Sequence, residues 1–184
     1  MFAIDLAEDA QLFPLEVWHA EEFLAHMDRG RESIGEFIGF PDRATDLESA
    51  RELLRSNAEK SAADGPRLYG IRLGGTLVGG VLFRTFDAAQ GTCEIGCWME
   101  PAGTGRGLVT TACRVLIDWA FDVRGMHRVE WHVSSGNTKS IAVAERLGLT
   151  REGVLRQRHL HRGVRHDTEI WSLLAPERTA ARTA

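Results

Sequence analysis

Residues 101–107 read Pro-Ala-Gly-Thr-Gly-Arg-Gly and lead from an apolar stretch straight into a helical pattern. A strand-to-helix turn of this kind converges main-chain N–H groups with the positive end of the helix dipole, which makes an anion site. Side chains at Gly103, Gly105 and Gly107 would hold phosphate oxygens away from the backbone, and Arg106 adds a charge-assisted donor. A tight connection with no ligand is written in the same letters, so the loop alone leaves both readings open. Two phosphate loops fail on spacing. No Lys follows as a Walker loop requires, and Gly-x-Gly-x-Gly after an antiparallel meander is not the Gly-x-Gly-x-x-Gly of a dinucleotide-binding unit.

Just upstream, residues 92–99 alternate, with Cys93, Ile95, Cys97 and Met99 on one face and Glu94, Gly96 and Trp98 on the other. If both faces are covered, the Glu94 carboxylate is desolvated and its pKa is expected to rise. Gly96 then leaves an open floor and Trp98 an aromatic wall, a setting that would receive an amine. A buried Glu satisfied by an Arg or backbone partner is the competing reading. Downstream, Asn137 and Ser140 stand at a helix start, where either residue type is a cap or a ligand. Cys113 lies in an apolar helix and reads as packed, and no Ser/His/Asp order is evident. His159, His161, His166 and Asp167 lack a second well-spaced ligand set, so no metal is expected. Trp18, Phe37 and Phe40 are core residues or pocket walls.

The elements that position these residues follow from hydrophobic period. Helical spacing covers about 15–27, with Trp18, Phe23, Leu24 and Met27 on one face and a stop at residues 28–30. A second short helix covers 32–38, and a third, capped by Asp46, covers 47–63. Strands 68–73 and 77–86 flank a Gly74-Gly75 hairpin turn, and strand 92–99 completes a meander. The clearest helix runs from Leu108, with Thr111, Ala112, Val115, Leu116, Trp119 and Ala120 on one face. Then come a strand over 127–133, a helix over 139–147 stopped by Gly148, and strands over 150–160 and 164–174 around Arg162-Gly163. The expected fold is α/β: a mixed, mostly antiparallel central sheet flanked by helices, in one domain over 1–175 with a disordered tail at 176–184.

Composition narrows the class. The chain has 184 residues, enough for one domain with a core that needs no staples. With 22 Lys+Arg against 26 Asp+Glu, the net charge of -4 provides no field for a nucleic-acid backbone. No secretory leader or bilayer-length apolar run is visible, so no membrane association is expected. Three cysteines, two of them on one strand, fit a reduced cytoplasmic setting.

Four segments together resemble the GCN5-related N-acetyltransferase (GNAT) superfamily, in the branch of ribosomal-protein N-terminal acetyltransferases. Residues 94–99, Glu-Ile-Gly-Cys-Trp-Met, are similar to that branch's Glu-Ile-Gly-Tyr-Trp-Leu strand, with Cys97 in place of an aromatic. Residues 103–108 resemble its pyrophosphate loop, with Ala102 where the wider superfamily has Gln or Arg. Asn137, Ser140 and Leu147-Gly148-Leu149 match its Asn-x-x-Ser helix, and Glu152-Gly153 with residues 163–167 its closing hairpin. The likeness spans about residues 75–174 and is specific only as a set.

The resemblance implies acetyl-CoA as co-substrate, entering a V-shaped gap between the strands at 92–99 and 127–133. By carry-over, the backbone of Trp98 and Met99 pairs with pantetheine, Gly103, Thr104, Gly105, Arg106, Gly107 and Leu108 hold the pyrophosphate, and Asn137 bonds the pantetheine amides. Glu94 acts as a base through water, and Ser140 supports the departing thiolate. A water-linked Glu suits an α-amine, with pKa near ~8, better than a lysine amine near ~10.4. The implied function is acetyl transfer to a primary amine, first a protein or peptide N-terminus. A small-molecule amine such as an antibiotic or polyamine, a longer acyl donor, a non-catalytic acyl-CoA-binding module and a homodimer stay open.

Overall fold

The computed structural model describes residues 3–178. Eight strands form one sheet in the order β1-β2-β3-β4-β5-β6-β8-β7. They are β1 (Ile4–Ala7), β2 (Ala10–Pro14), β3 (Arg67–Leu73), β4 (Thr76–Asp87), β5 (Thr92–Met99), β6 (Arg128–Ser134), β7 (Thr150–His161) and β8 (Val164–Leu174). The ladders β1–β2, β2–β3, β3–β4, β6–β8 and β7–β8 are antiparallel, whereas β5–β6 is parallel. The sheet is thus mixed and mostly antiparallel, as expected of the family that the sequence resembles, and it contains the meander that the hydrophobic period predicts. The described residues also include the helices α1 (Ala20–Gly35), α2 (Phe40–Arg43), α3 (Leu47–Ala62), α4 (Leu108–Asp118) and α5 (Thr138–Arg146).

Contacts divide the chain into two compact units. The first runs to Phe83 and takes in Cys97–Ala112; the second comprises Arg84–Gly96 and the chain from Cys113 onward. In the first unit, Phe13, Phe23, Met27, Leu53, Leu54, Leu77 and Trp98 share one buried cluster. Asp46 caps α3 by accepting from the Ser49 N–H at 2.8 Å, as its place before the apolar pattern predicts. The β3–β4 hairpin turns on Gly74 and Gly75, both at positive φ.

Three expectations for the first unit change. Helix α1 does not stop at residues 28–30, and the expected helix at 32–38 is largely its continuation. Gly30 is buried, and a Cβ there would strike the Ile34 side chain. Packing therefore outweighs the ~1 kcal/mol that glycine costs inside a helix. Trp18 is 77% exposed rather than part of the buried face. Strand β2 goes unread in the sequence because it is short and ends in proline.

In the second unit, α4 passes into a π-helical turn, Trp119–Val123, closed by the Arg124 N–H donating to the Trp119 carbonyl. Residues 175–178 form a helical turn, and Arg178 pairs with Asp118 and Asp122. The remainder of the expected tail, 179–184, lies outside the described residues.

Candidate active site

The loop after β5 belongs to the first unit. Pro101–Gly103 forms one 3-10 turn, and the Thr104 N–H returns to the Pro101 carbonyl at 3.1 Å. The chain then reaches α4 through Gly105 at φ +78° and Gly107 at φ +72°. Positive φ at alternate residues is the backbone form in which anion nests are built, and a Cβ at Gly105 would meet nothing within 4 Å. Among the described residues, the N–H groups of Gly105, Arg106, Gly107 and Leu108 donate to no main-chain acceptor. Donors without main-chain acceptors at the start of an 11-residue helix are what a diphosphate needs, so the loop fits the group that the motif implies. Arg106 pairs with Asp9 at 2.9 Å, but both side chains are about half exposed, and such a pair contributes only ~0–1 kcal/mol. A diphosphate can displace it.

Trp98 differs from its expected role as an acceptor wall. Its side chain is buried in the first unit's core, edge-on to Phe40 at 5.2 Å, and its indole N–H donates to His26 Nε2 at 3.0 Å. Only its backbone remains for a ligand. Because an indole N–H is a donor only, His26 accepts at Nε2, carries its proton on Nδ1 and donates it to Glu100 Oε2 at 2.9 Å. Arg29 Nε donates to the same carboxylate and its Nη2 to the Leu77 carbonyl. His26, Arg29 and Glu100 thereby fix the strand end that leads into the loop. Sequence reading misses them because His26 and Glu100 are 74 positions apart.

Burial holds the His26 pKa below its usual value, outweighing the opposing pull of Glu100. The unfolded chain therefore takes up a proton at higher pH than the native one. Stability from this group is complete above pH ~6.5 and is lost as pH falls through the lower native pKa. Thermal melts should show a Tm that drops below pH ~6.5, with a slope no steeper than ~1.4 kcal/mol per pH unit from this group. In His26→Gln that histidine-linked part of the slope should vanish.

The other candidate residues lie in the second unit. Glu94 is 7% exposed. Arg84 Nε stands 3.3 Å from its Oε1, within ion-pair range, yet Oε1 has no partner of hydrogen-bond geometry. The ion pair and the missing hydrogen bond are compatible: the guanidinium is near but misaligned. Oε2 faces His132 Nδ1 at 3.6 Å. This carboxylate is buried, partly compensated and still able to accept.

Asn137 caps α5, its Oδ1 accepting from the Ser140 N–H at 3.1 Å. Its NH2 group faces no such demand, so cap and ligand are not exclusive. Ser140 Oγ accepts from the indole N–H of the buried Trp131 at 3.1 Å, which leaves the hydroxyl proton free to be donated elsewhere. Cys93 and Cys97 are poor nucleophiles, since burial pushes both thiols up to about 12. Among the described residues, no group of His, Cys, Asp or Glu is arranged to hold a metal, and no helix is long and apolar enough to cross a membrane.

The structure thus places Trp98, Met99 and residues 103–108 in one compact unit and Glu94, Asn137 and Ser140 in the other. His132, Arg84 and Trp131 were not read from the sequence, although β6 alternates strictly, with Val129, Trp131 and Val133 buried and Glu130 and His132 between them.

Known proteins agree with this architecture. The putative ribosomal N-acetyltransferase YdaF of Bacillus subtilis (strain 168) is 31% identical, over 96% of this chain and 97% of its own. A crystal structure of a probable acetyltransferase superposes with a TM-score of 0.89 at 29% identity, covering 96% of this chain and 99% of that one. RimL, a ribosomal L7/L12 alpha-N-protein acetyltransferase solved with coenzyme A, shares the fold at a TM-score of 0.88 and 18% identity, over 95% and 99% of the two chains. The family model described as an acetyltransferase (GNAT) domain matches residues 10–150, and the chain belongs to that family of N-acetyltransferases.

Proposed function

We propose that this enzyme transfers acetyl from acetyl-CoA directly to the α-amine of a protein or peptide N-terminus, residues 1–175 acting as one acetyltransferase domain in the cytoplasm. The observation that carries the reading is the run of N–H groups at Gly105, Arg106, Gly107 and Leu108 without main-chain acceptors. Acetyl-CoA brings a diphosphate for those donors and for the backbone at Gly103 and Thr104. Pantetheine pairs with the backbone of Trp98 and Met99 and with the Asn137 amide. Within the second unit, β5 pairs with β6 in parallel register at Thr92↔Arg128, Cys93↔Val129 and Glu94↔Glu130.

Glu94, through water, removes the ammonium proton of the acceptor. The neutral amine attacks the thioester carbonyl, the C–N bond forms, and a backbone N–H near Trp98 or Met99 stabilises the oxyanion. When the C–S bond breaks, Ser140 donates toward the sulfur while Trp131 supports its oxygen. Relatives named as a putative ribosomal N-acetyltransferase and a ribosomal-protein-serine acetyltransferase favour a protein acceptor.

Thiol release from acetyl-CoA, measured with peptides beginning in Ser or Ala, an aminoglycoside and a polyamine, tests the reading. Peptide-dependent release is expected. Release only with the small amines transfers the acceptor to that class, and thermal stabilisation by acetyl-CoA without turnover on any amine makes the chain a binding module.

A further inference from the structure

Acetylation of an ammonium liberates a proton: acetyl-CoA and R–NH3+ give the amide, CoA–SH and one H+. The proton on the tetrahedral nitrogen leaves with the thiolate, so the ammonium proton taken by Glu94 is the one that must reach solvent every turnover. Glu94 is poorly placed to release it alone, since its side chain is 9% exposed and Arg84 flanks Oε1.

The second unit holds a line of groups leading outward from Oε2. His132 Nδ1 stands 3.6 Å away, and on the other edge of the same ring Nε2 lies 2.9 Å from Glu130 Oε2. A neutral imidazole that donates from Nε2 to a carboxylate presents an unprotonated Nδ1, the form able to accept from a protonated Glu94. The distance on the Glu94 side exceeds a direct hydrogen bond and must shorten once that carboxyl carries a proton to donate. His132 is 32% and Glu130 28% exposed in their side chains, so the line ends in solvent.

The surrounding charges leave His132 to this pair. Arg128 donates to Glu130 Oε1 at 2.6 Å and is shared with Glu152, itself held by Ser172. On β8 the register neighbour of His132 is Ile170, and the adjacent Glu169 is occupied by Arg151 and Trp171. Lys139, Glu145 and Arg146 of α5 are exposed to solvent.

We propose that His132 is the proton outlet of Glu94: it accepts at Nδ1 the proton Glu94 has taken from the amine and passes the Nε2 proton to Glu130, which yields it to water. His132 touches neither substrate and acts through Glu94, so it is a positioning and relay residue. The proposal rests on Glu94 serving as the base.

The test is steady-state kinetics of the full chain with acetyl-CoA and a turned-over Ser- or Ala-initiated peptide. His132→Gln, which keeps a donor toward Glu130 but relays nothing, should lower kcat about tenfold or more and change the pH profile, with KM for acetyl-CoA within about twofold. Added imidazole should restore part of the rate lost in His132→Ala. Parental kcat and pH profile in His132→Gln, alongside a slow Glu94→Gln, would overturn the outlet while leaving the base in place; a parental Glu94→Gln would remove the base itself. Should the His132 variants fail to fold by circular dichroism, Glu130→Gln decides: a slowed, pH-shifted enzyme supports the relay, and a parental one rejects it.

Discussion

Glu94→Gln is expected to lose about a hundredfold or more in kcat while binding acetyl-CoA nearly as the parent does. General base contributions commonly lie at ~10²–10⁴-fold, and Gln keeps the shape of the side chain but cannot take a proton. The split between kcat and coenzyme affinity follows from position. Glu94 lies in the second compact unit, with Arg84 and His132 on its oxygens, whereas the glycine loop proposed to hold the diphosphate belongs to the first. Rapid-mix or steady-state turnover with a peptide acceptor, set against the acetyl-CoA Kd from calorimetry, checks both halves. A variant that turns over at the parental rate would leave Glu94 as a buried structural carboxylate.

Gly105→Asp attacks the other end of the coenzyme. The position is open, with no atom within 4 Å of an added Cβ, and Asp tolerates positive φ better than most residues, so the fold should survive. Its carboxylate, however, would stand among the N–H groups that a diphosphate requires, replacing the ligand's charge with one of its own. The acetyl-CoA Kd should rise at least about a hundredfold, or ~2.7 kcal/mol, with Tm in the absence of ligand lowered only slightly. Calorimetric titration reads the first quantity and a thermal melt the second. Gly105→Ala serves as the companion variant: it carries the same positive-φ strain without the charge and should lose far less affinity.

What the letters made legible were the features set by local period and local turn chemistry. The β3–β4 hairpin at Gly74-Gly75, the Asp46 cap, β5 over Thr92–Met99 and the glycine turn into α4 are all decided within a few residues. What escaped was decided by distant partners. Helix α1 runs through Gly30, a position where the Ile34 side chain leaves no room for a Cβ, and glycine's low propensity says nothing of this. Trp98 alternates correctly on β5, yet His26 and Phe40 draw its ring into a core and away from any acceptor.

The candidate site shows the same division. Glu94, Ser140, Asn137 and the loop residues stand out as residue types in a spacing, and the resemblance to a known family gave them roles. Arg84 and His132, which flank the Glu94 carboxylate, and Trp131, which donates to Ser140, are ordinary strand residues until β4, β5, β6 and α5 bring them together. The period-2 pattern of β6 carried a signal for His132 and Glu130, two polar residues on one face, but without the sheet order nothing said which carboxylate that face meets.

The most direct measurement is the backbone amide spectrum of the isotope-labelled protein during titration with acetyl-CoA. The N–H resonances of Gly105, Arg106, Gly107 and Leu108 should move most, saturably and together, as their protons take up phosphate oxygens. Saturable binding that leaves those four signals in place, or no binding at all, would contradict the account at its root.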